Sequence, residues 1–170
     1  LKQAQDNNPM TDPIRPTDDE ARSLARSLME NARFAALGVI TEDGTPLVTR
    51  VAFGLSPEGH PISLISTLSS HTRALQNNAA CSFLVGEPGD KGDPLTHPRL
   101  SLQGHAQFIP NTGEEHARLA AHYLQYPPKA KLYIGFGDFA FVRLDVTAGH
   151  LNGGFGKAFV LTPEDLTPPA

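Results

Sequence analysis

Short turn sequences between apolar runs constrain the fold of this chain most strongly. Glu42-Asp43-Gly44-Thr45 and Ser56-Pro57-Glu58-Gly59 each separate two apolar runs of strand length. Strands joined by turns this short pair antiparallel, because a parallel connection needs a long crossover. Closing an antiparallel sheet also removes its exposed edges. The sequence therefore predicts a mainly β fold, an antiparallel barrel with helices packed outside it.

Periodicity and capping signals predict the remaining elements. Thr17-Asp18-Asp19-Glu20 is a capping box, and the apolar spacing after it predicts an amphipathic helix over 17–31. A short helix is predicted over 70–77, and another begins at 111–114 and is stopped at 126–128. The predicted strands are 34–40, 46–55, 61–66, 80–85, 99–109, 138–146 and, after a turn at 147–149, an interrupted last strand over 150–161.

Length and composition bound the class of protein. With 170 residues, 39% of them hydrophobic, the chain suits one globular domain, which we expect at 17–161 between a flexible segment (1–16) and a loose tail (162–170). A net charge of -4 argues against a surface that coats nucleic acid. No apolar run approaches the roughly 20 residues that span a bilayer. We therefore expect a cytoplasmic protein with no nucleic-acid or membrane partner.

One polar segment suggests a phosphate site. The apolar run at 61–65 ends in Ser66 and Thr67, and a helix then opens with Ser70-His71-Thr72-Arg73. A helix start offers unpaired N–H groups and the positive end of its dipole, and an arginine adds charge-assisted hydrogen bonds. If 56–59 closes a hairpin, Arg50 faces residue 65 or 66 on the partner strand. Two arginines and several hydroxyls would then converge on one small volume.

A simpler interpretation of the same residues needs no ligand. Arg50 could pair with a carboxylate such as Asp43, while Ser70 only caps the helix. The glycine-rich segment 153–156 could be a β-bulge or a barrel corner. The seven histidines have no zinc-ligand spacing, so no metal site is predicted, and no catalytic side chain is evident.

Four segments in this order resemble the pyridoxamine 5'-phosphate oxidase-like flavoproteins, the FMN-binding split β-barrel superfamily, and most closely its haem-utilisation branch. The segments are Pro46-Leu47-Val48-Thr49-Arg50-Val51, the stretch 65–75, Pro98-Arg99-Leu100-Ser101-Leu102-Gln103-Gly104, and Gly153-Gly154-Phe155-Gly156-Lys157-Ala158. The resemblance implies an antiparallel split barrel that binds FMN. It also implies a homodimer with the cofactor at the subunit interface.

The resemblance also implies which residues would bind the cofactor. Arg50 matches the strand arginine that holds the FMN phosphate, and Val51 follows it in the same motif. Arg99 falls near the flavin ring, where a cation could favour electron density at the reduced pyrimidine end. The phosphate grip would be completed by the polar positions Ser66, Thr67, Ser70, His71, Thr72 and Arg73. The cofactor contacts from the second chain would be Phe155, Gly156 and Lys157.

Departures from the family pattern narrow the expected activity. Gly54 and Leu55 stand where the oxidase has a lysine, and 149–151 does not match its C-terminal Arg-x-His pair. Oxidation of pyridoxamine phosphate is therefore not expected, and we expect no counterpart of the extra C-terminal domain of longer haem-degrading relatives. We expect an FMN-dependent oxidoreductase acting on a small molecule. The alternatives are haem binding or degradation, a non-catalytic flavin protein, and a deazaflavin in place of FMN.

Overall fold

The computed structural model describes residues 13–125 and 137–169. The described α-helices are α1 (Asp19–Asn31), α2 (Ser70–Asn77), α3 (Glu114–Tyr123) and α4 (Pro163–Leu166). The strands are β1 (Phe34–Ile40), β2 (Pro46–Ala52), β3 (Gly54–Leu55), β4 (Pro61–Ser66), β5 (Ala80–Val85), β6 (Arg99–Ile109), β7 (Phe139–Asn152) and β8 (Ala158–Leu161). The predicted helix stop at 126–128 lies outside the described residues.

These eight strands form one antiparallel sheet in the order β2-β1-β5-β6-β7-β4-β3, with β8 added to β7. The long strand β7 pairs with β6 along one edge. Its other edge pairs with β4 in its first half and with β8 in its second. The sheet curls around an apolar core and carries helices outside it. The prediction of a mainly β, antiparallel fold with flanking helices is confirmed.

Alternation along β1 separates a buried face from an outer face. In β1, Ala35, Leu37 and Val39 are buried, whereas Phe34 at its start is partly exposed. The core is closed by α1, which buries its alanine and methionine face against the sheet. The outer face of β1, β2 and β5 therefore retains apolar residues that the core does not use.

The curled sheet is split between β2 and β4. The turn at 56–59 closes a hairpin, but its ladder pairs only Gly54 with Ile62 and Leu55 with Pro61. Beyond it, the buried Ser63 hydroxyl donates to the Ala52 carbonyl over 2.6 Å. A side chain thus satisfies the group that a ladder hydrogen bond would use. No ladder therefore pairs Arg50 with residue 65 or 66, and β2 forms its described ladder with β1.

A β-bulge stands where the sequence predicted a turn at 147–149. Strand β7 runs unbroken through it, and the register with β6 shifts between Gln103 and Gly104. A Cβ atom at Gly104 would lie 2.1 Å from the Asp145 carbonyl oxygen, so only glycine fits. At Gly149, a Cβ atom would meet Leu166 at 3.2 Å. These glycines serve close packing, and neither one turns the chain.

Both ends of the described chain dock on β7 and β8. Within the segment predicted to be a loose tail, α4 is capped by Thr162 and Asp165. Its Leu166 is only 4% exposed, and Asp165 accepts from Arg22 Nε over 2.6 Å. Ile14, in the segment predicted to be flexible, bridges to Ala158. The C-terminal segment is held in place by the buried Leu166 side chain and by the ion pair between Arg22 and Asp165.

Replacing Leu166 with alanine should lower the free energy of unfolding by about 2–4 kcal/mol, because it removes a buried side chain beneath β7. The variant Leu166→Met keeps the volume and should lose less than about 1.5 kcal/mol. Urea unfolding measures both values. Equal and negligible losses would mean that α4 does not belong to the core.

Candidate functional site

A cleft of about 680 Å³ lies on the outer face, between α1, the β1–β2 hairpin and the segment that joins β5 to β6. Its floor is apolar and includes Ala36, Val48 and Leu84. These side chains share one sheet face because Ala36 pairs with both Arg50 and Leu84 across the ladder. The charged groups around this floor are Arg33, Arg50, Arg99 and Glu87. An apolar floor with an excess of cations suits a flat, anionic ligand.

Arg50 is an exposed cation of this cleft. Its guanidinium carbon lies 5.4 Å from the centroid of the Phe34 ring, within cation–π range. Within the described residues Arg50 makes no hydrogen bond or ion pair. The alternative partner Asp43 is instead bound by Thr41 and Thr45, and the Thr41 hydroxyl lowers the pKa of that carboxyl. The guanidinium N–H groups of Arg50 are therefore available to a ligand.

Arg99 reaches the same cleft from the start of β6. One of its terminal nitrogens donates to the Leu95 carbonyl over 2.9 Å and more weakly to the His97 carbonyl. His97 in turn binds the backbone of Gly89 and Lys91. These bonds hold the segment before β6 against the cleft.

The start of α2 closes the split between β2 and β4. His71 Nδ1 lies 3.1 Å from the Thr49 hydroxyl on β2. The buried Thr72 hydroxyl donates to the Ser66 carbonyl on β4 over 2.5 Å. Two successive helix residues thus link the two strands where the ladder has ended. Thr49 also belongs to the cleft lining, so the helix start lies directly behind one wall of the cleft.

The charged form of His71 is disfavoured at this link. Burial lowers the pKa of His71 below its usual value of 6.5. Its Nε2 atom is buried and has no hydrogen-bond partner in the described structure. A proton taken up there would put an uncompensated charge in the split between the strands.

Stability should therefore fall as the pH drops from about 7.5 to 5.5. The unfolded chain binds a proton at His71 below its ordinary pKa, whereas the folded protein resists it, so acid favours unfolding. The loss continues until the pH passes the lowered pKa of the folded state. Urea unfolding of the wild type and His71→Gln at both pH values measures it. The wild type should lose more, and equal losses would contradict this role.

The predicted site residues fall into separate places. The cleft contains Arg50 and Arg99 but not the other predicted phosphate ligands. Val51 points into the core. At the split, Thr72 is buried and Ser66 and His71 are half-buried, whereas Thr67, Ser70 and Arg73 are exposed. The loop bearing Phe155, Gly156 and Lys157 follows Asn152, which pairs with Arg99, but it does not line the cleft in this chain.

Sequence reasoning missed Phe34, Arg33 and Glu87 as parts of the cleft. Phe34 is the first residue of β1 and alternates with the buried Ala35, which could have placed it on the outer face. Arg33 donates to the Glu30 and Ala32 carbonyls at the end of α1. No sequence signal linked these residues to the segment before β6, because the strand order brings them together.

Neither a metal-binding cluster nor a membrane-spanning helix is found among the described residues. Across 13–125 and 137–169, no group of three His, Cys, Asp or Glu side chains could hold a metal ion. No described helix is long and apolar enough to cross a bilayer. Burial raises the pKa of the Cys81 thiol to about 11, which makes it a poor nucleophile.

A curled antiparallel sheet split between two strands, with a cleft on its outer face, defines the class as a split-barrel fold. Within this class the chain belongs to the family described as "CREG, beta-barrel", whose model matches residues 16–167. The family resemblance predicted from the sequence is confirmed.

Similar proteins include several with haem in their names. The chain is 32% identical over 119 residues to the chloroplastic heme oxygenase HOZ of Arabidopsis thaliana, covering 69% of this chain and 35% of that protein. It thus spans about a third of the length of this curated relative. A heme binding protein from Mycobacterium smegmatis is 29% identical, with a TM-score of 0.78 over 90% of this chain and 61% of that one.

A similar fold is found in the pyridoxinephosphate oxidase family. A solved structure from Clostridium acetobutylicum, related to general stress protein 26 of that family, has a TM-score of 0.65 at 14% identity. The alignment covers 88% of this chain and 99% of that one. At this identity the similarity shows a shared fold alone.

Proposed function

We propose that this protein binds FMN in the outer cleft and is an oxidoreductase acting on a small molecule. The observation that carries the proposal is Arg50, a cation with no hydrogen-bond or ion-pair partner among the described residues, beside an apolar floor. An arginine fork binds a phosphate with two N–H groups, and the floor suits a flat ring. Bound FMN would supply two-electron transfer.

Different residues of the cleft would bind different parts of FMN. Arg50 would hold the phosphate, with the wall of Thr49 and His71 behind it. Val48 and Leu84 would exclude water from one face of the ring. Arg99 would donate to a ring carbonyl and favour electron density there, as the family resemblance implies.

A second copy of the chain would cover the cleft. Four large apolar residues on the outer side of the strands are exposed: Phe34, Val48, Leu84 and Val160. Leu84 and Val160 lie in one cross-strand row with Arg50 on the outer face. An exposed apolar face of this kind marks an interaction surface. In a homodimer, Phe155, Gly156 and Lys157 of one protomer would approach the cofactor of the other.

Haem is the second candidate ligand, and the named relatives favour it. A porphyrin is also flat, and its propionates would suit Arg50 and Arg99. The described cleft lining, however, contains no His, Cys, Met or Tyr that could bind the iron. Haem binding would therefore take its iron ligand from outside this lining. Degradation of haem, a non-catalytic flavin protein and a deazaflavin cofactor stay open as alternatives.

The cofactor that copurifies with the protein tests the proposal. Its mass and absorbance spectrum, with titrations of the apoprotein by FMN and by haemin, should identify FMN as the tighter ligand. Sedimentation should show a dimer. A colourless protein that remains apo with FMN would remove the flavin proposal, and a haemin titration with a Soret shift would replace it with the haem candidate.

A further inference from the structure

Phe34 occupies an unusual position for a large aromatic side chain. It is the first residue of β1, its ring is on the outer face, and 42% of the residue is exposed. The neighbouring Ala35 faces the core instead. Phe34 is thus not among the buried residues of the core, and its aromatic ring calls for another explanation.

The ring of Phe34 faces the guanidinium of Arg50. In the β1–β2 ladder Phe34 pairs with Ala52, and Arg50 pairs with Ala36, so the two side chains are diagonal neighbours on one face. The guanidinium carbon is 5.4 Å from the ring centroid, and both residues line the cleft. Within the described residues, no hydrogen bond or ion pair of the Arg50 side chain competes with this contact.

We propose that Phe34 is a positioning residue, which holds the Arg50 guanidinium over the cleft so that its N–H groups meet the anionic group of the ligand. A cation–π contact places the charge over the ring without forming a conventional hydrogen bond, so the five N–H donors of the guanidinium still have no acceptor and stay available to a ligand. An exposed arginine otherwise loses considerable rotamer freedom when it binds a ligand. By restricting the Arg50 side chain before the ligand binds, Phe34 reduces the entropy that is lost on binding. The inference rests on the proposed function, in which Arg50 binds the cofactor phosphate.

If Phe34 positions Arg50, the affinity for FMN should depend on an aromatic ring at position 34. Phe34→Leu keeps an apolar side chain of similar reach but removes the ring, so it should weaken FMN binding by about two- to fivefold, the range of an exposed cation–π contact. Phe34→Tyr keeps the ring and should restore wild-type affinity. Phe108→Leu is the matched control, because Phe108 packs against the main core and does not line the cleft.

A first experiment examines the contact in the protein without added cofactor. The side-chain NMR signals of Arg50, assigned by comparison with Arg50→Lys, should be shifted upfield by the aromatic ring. Phe34→Leu should abolish this shift, whereas Phe34→Tyr and Phe108→Leu should retain it. An Arg50 signal at its random-coil position in the wild type would overturn the inference, whatever cofactor the protein binds.

A second experiment asks whether Phe34 acts through Arg50. FMN affinities of the wild type, Phe34→Leu, Arg50→Ala and the double variant form a thermodynamic cycle, measured at low ionic strength. Phe34→Leu should weaken binding only when Arg50 is present. An equal loss in both backgrounds would overturn the positioning role and assign Phe34 a contact of its own. If the wild type binds no FMN, the proposed function fails, and the NMR comparison still decides whether Phe34 holds Arg50.

Discussion

Replacing Arg50 with alanine should weaken FMN binding by about 2–4 kcal/mol, or roughly 30- to 1000-fold, the largest effect of any single side chain in the cleft. Arg50 is the cleft arginine without a hydrogen-bond or ion-pair partner in the described structure, so its N–H groups are available to the phosphate. Removing it would leave a doubly charged group beside an apolar floor. Fluorescence quenching of FMN in titrations measures the loss.

Arg118→Ala provides the matched control for this prediction. Arg118 is also a partly exposed arginine, but it lies on α3 and binds Glu58 and Glu115 away from the cleft. Its removal should leave FMN affinity within about twofold of the wild type, because isolated surface ion pairs contribute little. Unchanged affinity in Arg50→Ala would mean that the phosphate binds elsewhere, and the start of α2 would be the next place to test.

Gly104→Ala should lower the free energy of unfolding by about 3 kcal/mol, although it adds only a methyl group. The added carbon would lie 2.1 Å from the carbonyl oxygen of Asp145, and the obstacle is backbone that cannot rotate aside. Relief requires β6 and β7 to separate at the bulge, which would disrupt ladder hydrogen bonds on both sides. Urea unfolding, with circular dichroism as the probe, measures this loss.

Gly137→Ala is the corresponding control. A Cβ atom at Gly137 would meet nothing within 4 Å, so this substitution should change stability by less than about 0.5 kcal/mol. A similar loss for both variants would indicate that glycine flexibility, and not the close approach of β6 to β7, explains the effect at Gly104.

Local signals predicted most of the fold. The bounds of β1, β4, β5, β6 and α2 agree with the sequence because hairpin turns, alternation and a polar helix start all act over a few residues. The prediction failed where long-range packing decides. Gly149 suggested a turn, but it accommodates Leu166 from the docked α4. The hairpin at 56–59 suggested a long β2–β4 ladder, which ends where the Ser63 side chain takes over the Ala52 carbonyl.

The site was less predictable than the fold. The sequence placed Arg50 and Arg99 in one site on the strength of the family resemblance, and the strand order brings both to the same cleft. It could not foresee that His71 would contact Thr49, a neighbour of Arg50 in β2, and would therefore lie behind the wall of the cleft and not line it. The sequence did not identify Phe34 as a site residue, because its proposed role depends on a diagonal contact with Arg50 on the neighbouring strand.

The single thiol of the chain, Cys81, should be oxidised only slowly under oxidative stress. With a pKa of about 11, Cys81 carries the reactive thiolate in only about one molecule in ten thousand at neutral pH. Peroxide generated beside the protein would therefore oxidise this sulfur very slowly while the sheet stays closed. Alkylating reagents would likewise label it slowly at neutral pH, because this half-buried thiol offers them little thiolate, and labelling would accelerate as the pH rises toward 11.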